Sequence, residues 1–169
     1  MKKKIEQAIN DQIQAEFQSA YQYLAMSARF EEMNLKGFAH WLKVQWEEET
    51  AHAMKFYTFM LQRDGHVELQ ALKKPEVTFE TPLEAFEAVL RHEQHITERI
   101  HRLYDLAAKE RDYPLQTLLN WFVDEQVEEE ESAREIIDHL KLIGDSSSHL
   151  FLLDRELARR PGGVEDEAA

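Results

Sequence analysis

The 169-residue sequence contains no cysteine, and that absence removes a good deal of chemistry. Disulfides, thiolate zinc sites, iron–sulfur clusters and a rubredoxin-type electron-transfer module all need sulfur ligands. Any metal site must therefore use oxygen and imidazole. Glycine and proline are scarce, at five and four, and lie between long segments of helical periodicity, which predicts an all-α chain. No uncharged run approaches the ~20 residues of a membrane span. The opening, Met1-Lys2-Lys3-Lys4-Ile5-Glu6, lacks the apolar stretch of a secretion signal, so a cytoplasmic protein without a membrane partner is expected. Positive charge is also in deficit: 33 Asp and Glu face 20 Lys and Arg, a net charge of -13. That balance disfavours nucleic acid and anionic surfaces and favours cations.

The length suits one domain, placed at residues 1–160, with a disordered tail from Pro161-Gly162-Gly163 onward, residues 161–169. Four long helices and a short fifth are predicted. The first, about 4–32, carries Ile5, Ile9, Ile13, Ala20 and Leu24 at steps of three or four; the second, about 36–63, carries Phe38, Leu42, Phe56 and Phe59. Met33 to Leu35 alone separate them, which predicts an antiparallel hairpin. Thr81-Pro82-Leu83-Glu84 reads as a capping box opening a third helix that runs to about Lys109. Asp112 caps a fourth, about 113–143, with the stripe Leu115, Leu118, Leu119, Phe122, Ala133, Ile136, Ile137 and Leu140, ended by Gly144. Asp64 to Thr81 is too long for a tight turn. Extended, it reaches up to ~60 Å against ~42 Å for a 28-residue helix, enough to cross a bundle from end to end. The expected fold class is therefore an all-α four-helix bundle with one long crossover. Ser146 to Ser148 offer caps for a fifth helix with Leu150, Phe151, Leu153 and Leu157 on one side, able to cover the bundle end or to form an interface.

Each of the four stripes is interrupted by an ionisable residue where a hydrophobic one belongs. Glu16 lies between Ile13 and Ala20, and Glu49 with His52 between Leu42 and Phe56. Glu93 falls between Phe86 or Leu90 and Ile100; Glu129, with Gln126 one turn before it, falls between Phe122 and Ala133 or Ile136. Burying an unpaired charge costs several kcal/mol even after relaxation, so four inward carboxylates call for cations among them.

Their heights agree. At 1.5 Å per residue Glu16 lies ~24 Å before the end of its helix and Glu49 ~20 Å after the start of the next; Glu93 and Glu129 are each ~24 Å from the link between theirs. With the crossover returning the third helix parallel to the second, all four carboxylates fall within about one helical turn of a common layer. Glu49 and His52 stand three apart, on one helix face, where carboxylate and imidazole can share an ion. Hard oxygens with one imidazole suit Fe(II), Mn(II) or Zn(II), and two metals with bridging carboxylates are the natural occupancy.

Over almost its whole length the chain resembles a bacterial-type non-haem ferritin. The resemblance rests on Ala15-Glu16-Phe17 with Tyr23, Glu48-Glu49-Thr50-Ala51-His52, Glu93-Gln94, the run from Trp121 to Glu129, and the short fifth segment. It implies a di-iron ferroxidase centre: Glu16, Glu49 and His52 holding the first iron with Glu49 bridging, and Glu93 and Glu129 holding the second with Gln126 close by. It also implies a neighbouring third iron site of Glu48, Glu125, Glu128 and Glu129, and a Tyr23 that hydrogen-bonds the site and supplies an electron. The substrates implied are Fe(II) with O2 or peroxide, and the assembly a homo-oligomeric shell of twenty-four subunits, the fifth helix at the four-fold contacts and ferric mineral inside. Ser132 stands where the general di-iron scheme has a second Glu-x-x-His, and residue 50 is Thr rather than a haem-ligating methionine, so no haem is expected.

Blander readings exist for each feature alone. A Glu-x-x-His arises by chance in acidic helices, and His52 alone reads as a core histidine. Glu130 and Glu131 read as a solvated face, Tyr23 and Trp121 as core packing, and His92, His95 and His101 fall off the stripe. Two other classes compete with storage: a smaller di-iron oxidase or peroxidase of the rubrerythrin kind, and a non-catalytic helical scaffold.

Overall fold

The computed structural model describes residues 1–162, in which five helices and no strands form. The helices are α1 (Lys3–Glu32), α2 (Lys36–Gln62), α3 (Pro82–Glu110), α4 (Tyr113–Ile143) and α5 (Ser147–Leu157). The bounds of the four long helices agree with the sequence expectation to within about one residue. Two compact units result: one takes Met1, residues 9–78 and the chain from 145, the other residues 2–8 and 79–144. Residues 163–169, most of the expected tail, lie outside the described residues.

In the first unit α1 and α2 form the predicted hairpin. Near the turn Phe30 stacks on Phe38 with centroids 5.2 Å apart, and Ser27 Oγ donates to the Ala39 carbonyl at 2.7 Å. The turn itself closes by a Schellman motif: Leu35 N–H bonds the Phe30 carbonyl and Asn34 N–H that of Glu31, with Asn34 left-handed at φ 58°. The same motif ends α2 at Asp64 (φ 54°) and α3 at Arg111 (φ 57°). α4 ends at Gly144 (φ 58°), as its sequence predicts.

From Asp64 the crossover runs back along α1, held by a ladder of amides spaced one helical turn apart. Asn10 Nδ2 donates to the His66 carbonyl at 2.9 Å and Asn10 Oδ1 accepts from Glu68 N–H at 3.0 Å. Gln14 reaches the Ala71 carbonyl, Gln18 that of Lys73 and Gln22 that of Glu76. A segment with no strand or helix of its own thus has several of its backbone groups bonded by one polar face of α1.

α5 packs on the start of α2. The α2 N-cap, Leu35, makes no side-chain cap bond, and the first-turn N–H groups of Gly37 and Phe38 donate instead to Asp154 Oδ1, at 2.8 and 3.1 Å. This carboxylate caps α2 from a different helix, with the sign that the helix dipole favours. The approach is so close that a Cβ on residue 37 would stand 1.6 Å from the Asp154 carbonyl oxygen, so only glycine fits. Leu153 and Leu157 are buried, whereas Phe151 is 59% exposed, so the four residues grouped on one side by the sequence are divided. α5 therefore has two apolar sides, of which one docks within the chain.

The second unit is the α3–α4 hairpin. The capping box at Thr81 and Glu84 forms in full, and Asp112 accepts from Leu115 N–H at 3.2 Å. Thr97 Oγ1 donates to Glu130 Oε1 at 2.8 Å, and Lys141 lies 3.9 Å from Glu87, both in the antiparallel register. One stripe expectation is corrected here for α1: Leu24 is 38% exposed, and its neighbour Tyr23, at 0%, takes the interior position. Tyr23 keeps the step from Ser19, Ala20 and Glu16 inward, and Leu24 follows one residue further round the helix, about 100° away.

The Asp154 contact gives a clean expectation. Asp154→Ala should cost about 1 kcal/mol of stability, as loss of an N-cap does, and Gly37→Ala about 1–3 kcal/mol through forced separation of α5 from α2. Thermal unfolding followed by circular dichroism measures both; a Gly37→Ala protein as stable as the parent would mean that α5 does not dock so closely.

Candidate metal centre

The interior of the first unit holds three ligand-bearing side chains. Glu16 sits mid-way along α1 because helical phase aligns it with Ile9, Ile13 and Ala20; Glu49 and His52 sit on the α2 face that also carries Leu42, Gln45 and Phe56. All three are buried: Glu16 is 1% exposed, Glu49 0% and His52 4%. One ligand atom from each lies within 4.8 Å of the others. His52 Nδ1 is 3.7 Å from Glu49 Oε2. Gln12 Nε2 donates to Glu16 Oε1 at 2.8 Å, while Glu16 Oε2 is buried without a hydrogen-bond donor. A carboxylate oxygen in that position costs free energy unless something electropositive reaches it. The donor set of two carboxylates and one imidazole, with no sulfur, fits a hard or borderline divalent ion such as Fe(II), Mn(II) or Zn(II).

The second unit carries a matching acidic pair. Glu93 on α3 is fully buried and Glu129 on α4 is 5% exposed. Gln126 Nε2 donates to Glu93 Oε2 at 3.2 Å, to the Glu93 carbonyl at 3.2 Å and to Thr97 Oγ1 at 3.3 Å, so its amide holds the Glu93 carboxylate in one orientation. Glu125 and Glu129, one turn apart on α4, bring their carboxylates within 4.8 Å of each other. Tyr23 is fully buried. Trp121 is half-buried, edge-on to Phe122 at 4.9 Å.

The remaining residues assigned to a third site are placed differently. Glu128 is exposed and Glu125 half-buried. Glu48 is half-buried and its Oε2 accepts from Arg160 Nη2 at 2.6 Å. Glu131 is exposed as expected, but Glu130 is half-buried against Thr97. Of the off-stripe histidines, His95 and His101 are exposed, whereas His92 is half-buried, and burial with the neighbouring His95 holds its imidazole down at about 4.

Sequence reasoning did not single out Gln12, Thr97 or Arg160. Gln12 and Thr97 had a detectable signal, since each lies four residues from a buried carboxylate and so one turn away on the same face. Arg160 had none, because its partner lies 112 residues away.

Comparison with known proteins shows the family. The family model described as a ferritin-like domain matches residues 6–143. A bacterial non-heme ferritin of Staphylococcus saprophyticus is 41% identical over 160 residues, covering 95% of this chain and 96% of its own; one of Staphylococcus aureus is 38% identical over the same length. Among solved structures, an open-pore ferritin from the archaeon Archaeoglobus fulgidus superposes with a TM-score of 0.94 at 45% identity, covering 95% of this chain and 98% of its own. A humanized archaeal ferritin gives the same TM-score at 46% identity. The fold class is the predicted ferritin-like four-helix bundle with one long crossover and a short fifth helix. With the family model spanning most of the sequence and relatives matched nearly end to end, the chain belongs to the ferritins, the non-haem iron-storage family.

Proposed function

We propose that this ferritin oxidises Fe(II) at a two-metal centre and stores the ferric product inside a multi-subunit shell. The observation that carries the reading is the buried triad Glu16, Glu49 and His52, whose ligand atoms lie within 4.8 Å of one another, in a chain of ferritin descent. In this reading Glu16, Glu49 and His52 bind the first Fe(II). Glu49 bridges to the second, which Glu93 and Glu129 hold while Gln126 orients Glu93. Each Fe(II) gives up one electron, so a bound pair can deliver two together and reduce O2 to the level of peroxide, or reduce peroxide to water, with both irons becoming ferric. Tyr23, buried in the same hairpin as the triad, is the hydrogen-bonding and electron-supplying side chain. Glu48, Glu125, Glu128 and Glu129 form a third, weaker site through which iron passes to storage. The relatives matched by sequence are named non-heme ferritins, and Thr50 and Ser132 deny this chain the ligands that would mark a haem-binding relative. No described helix is long and apolar enough to cross a membrane. The acidic charge of -13 favours attraction of Fe(II) over binding of nucleic acid.

The exposed side of α5, with Phe151 and Leu152 at 59% and 60% exposure, supports a contact between subunits, and we assign it to the four-fold contacts of a shell of twenty-four copies.

Two experiments test these assignments. Glu49→Ala and His52→Ala should each slow the initial aerobic oxidation of added Fe(II) at least about tenfold, loss of one ligand being worth about 1.4 kcal/mol or more, while Glu131→Ala on the exposed face should not. Stopped-flow absorbance reads both, and unchanged initial rates in the ligand variants would refute the centre. A chain ending at Gly144 should retain helical circular dichroism in α1 to α4 yet elute as small oligomers; full-sized particles from that truncation would show that α5 is dispensable for assembly.

A further inference from the structure

The residues described after α5 stay on the surface of α2. Residues 158–162 lie back along α2 over the two turns from His40 to Glu48, fixed at four points. His40 Nε2 bonds the Arg160 carbonyl at 2.8 Å. The Arg160 guanidinium covers the Trp41 ring with its carbon 4.4 Å from the centroid, donates from Nη1 to the Trp41 carbonyl at 3.3 Å, and donates from Nη2 to Glu48 Oε2 at 2.6 Å. Both side chains of the ion pair are only 21% exposed. Gly162 remains close to Glu47, whose Oε2 would be 3.8 Å from a Cβ there. The guanidinium is thus stacked, bonded and partly dehydrated at once, which sets it apart from the loose surface pairs that contribute little.

Glu48 directly precedes Glu49 of the buried triad, and one of its two carboxylate oxygens is committed to a cation supplied by the chain itself. A metal ion and a guanidinium compete for the same oxygen, since each satisfies the same negative charge and the two repel. We propose that Arg160 is a positioning residue that acts as a cationic placeholder on Glu48: the guanidinium holds the carboxylate while no metal is there, and a divalent ion takes Glu48 only by displacing the segment that follows α5. The inference rests on the proposed metal centre, in which Glu48 is assigned to the third site. It makes occupancy of Glu48 dependent on the undocking of residues 158–162, and so couples the α5 end of the chain to metal loading beside Glu49.

The test uses the full-length assembled protein and Zn(II) alone, so that its readout is independent of iron oxidation. Calorimetric titration of wild type, Arg160→Gln, Arg160→Lys and the double variant Glu48→Gln/Arg160→Gln should show the weakest Zn(II) site tightened about tenfold in Arg160→Gln. Little change is expected in Arg160→Lys, which restores the cation, and no gain in the double variant, which lacks the contested carboxylate. A chain ending at Arg159 removes the guanidinium without substituting it and should reproduce the gain. Were Arg160 only a fastener for the terminus, Arg160→Gln would lower thermal stability and leave Zn(II) binding unchanged. That outcome, or a gain that survives in the double variant, overturns the proposal. Binding in Glu49→Ala separates the two readings. If its tight site persists unaltered, the triad assignment fails whatever Arg160 does; if that site is lost but Arg160→Gln gains nothing, only the placeholder fails. A wild-type protein that binds no Zn(II) sinks both.

Discussion

Carboxylates do not enter helical interiors without compensation, because removing one unpaired charge from water costs several kcal/mol, a large share of a domain's net stability. Among the described residues this chain buries four, Glu16, Glu49, Glu93 and Glu129, together with His52. Compensation within the protein is partial: Gln12 serves one oxygen of Glu16, and Gln126 serves Glu93. Gln12 leaves the other oxygen of Glu16 without a donor. The rest of the structure can be understood as the frame that keeps these groups inward. Leucine, isoleucine and phenylalanine above and below each carboxylate fix the helical phase, and a rotation that released the acid to solvent would expose those side chains in turn.

The frame is strongest where it must resist such rotation. Short hairpin turns closed by Schellman motifs fix the register of α1 against α2 and of α3 against α4. The amide ladder from Asn10 to Gln22 lashes the crossover to α1, and Asp154 clamps the start of α2. These contacts are separate from the few that reach the acidic groups themselves, Gln12 to Glu16 and Gln126 to Glu93. That arrangement leaves the carboxylates available for ions, with the stability of the apo chain resting on apolar burial and backbone hydrogen bonds.

Much of this was legible in the sequence because helices write their faces in a short period. The four stripes, the capping box at Thr81, the Asp112 cap and the Gly144 stop are local signals, and local signals survive into the structure. The buried triad was legible for the same reason, since three or four residues decide which face a side chain takes. What was not legible depends on contacts remote in sequence or on a choice between adjacent phases. Leu24 and Tyr23 compete for one inward position, and only packing decides in favour of the tyrosine. Phe151 lies on a helix with two apolar sides, and periodicity alone could not say which one docks. The terminations at Asn34, Asp64 and Arg111 use residues other than glycine in the left-handed region. Asp154 capping α2 and Arg160 holding Glu48 join residues more than a hundred positions apart, for which a single sequence carries no pattern.

Location of metal by anomalous scattering tests the central claim most directly. Crystals of the full-length protein grown with Zn(II) and measured at the zinc edge should show a peak enclosed by Glu16, Glu49 and His52, with ligand distances of about 2 Å. Peaks confined to exposed carboxylates, with the space among those three side chains empty at saturating Zn(II), would contradict the account.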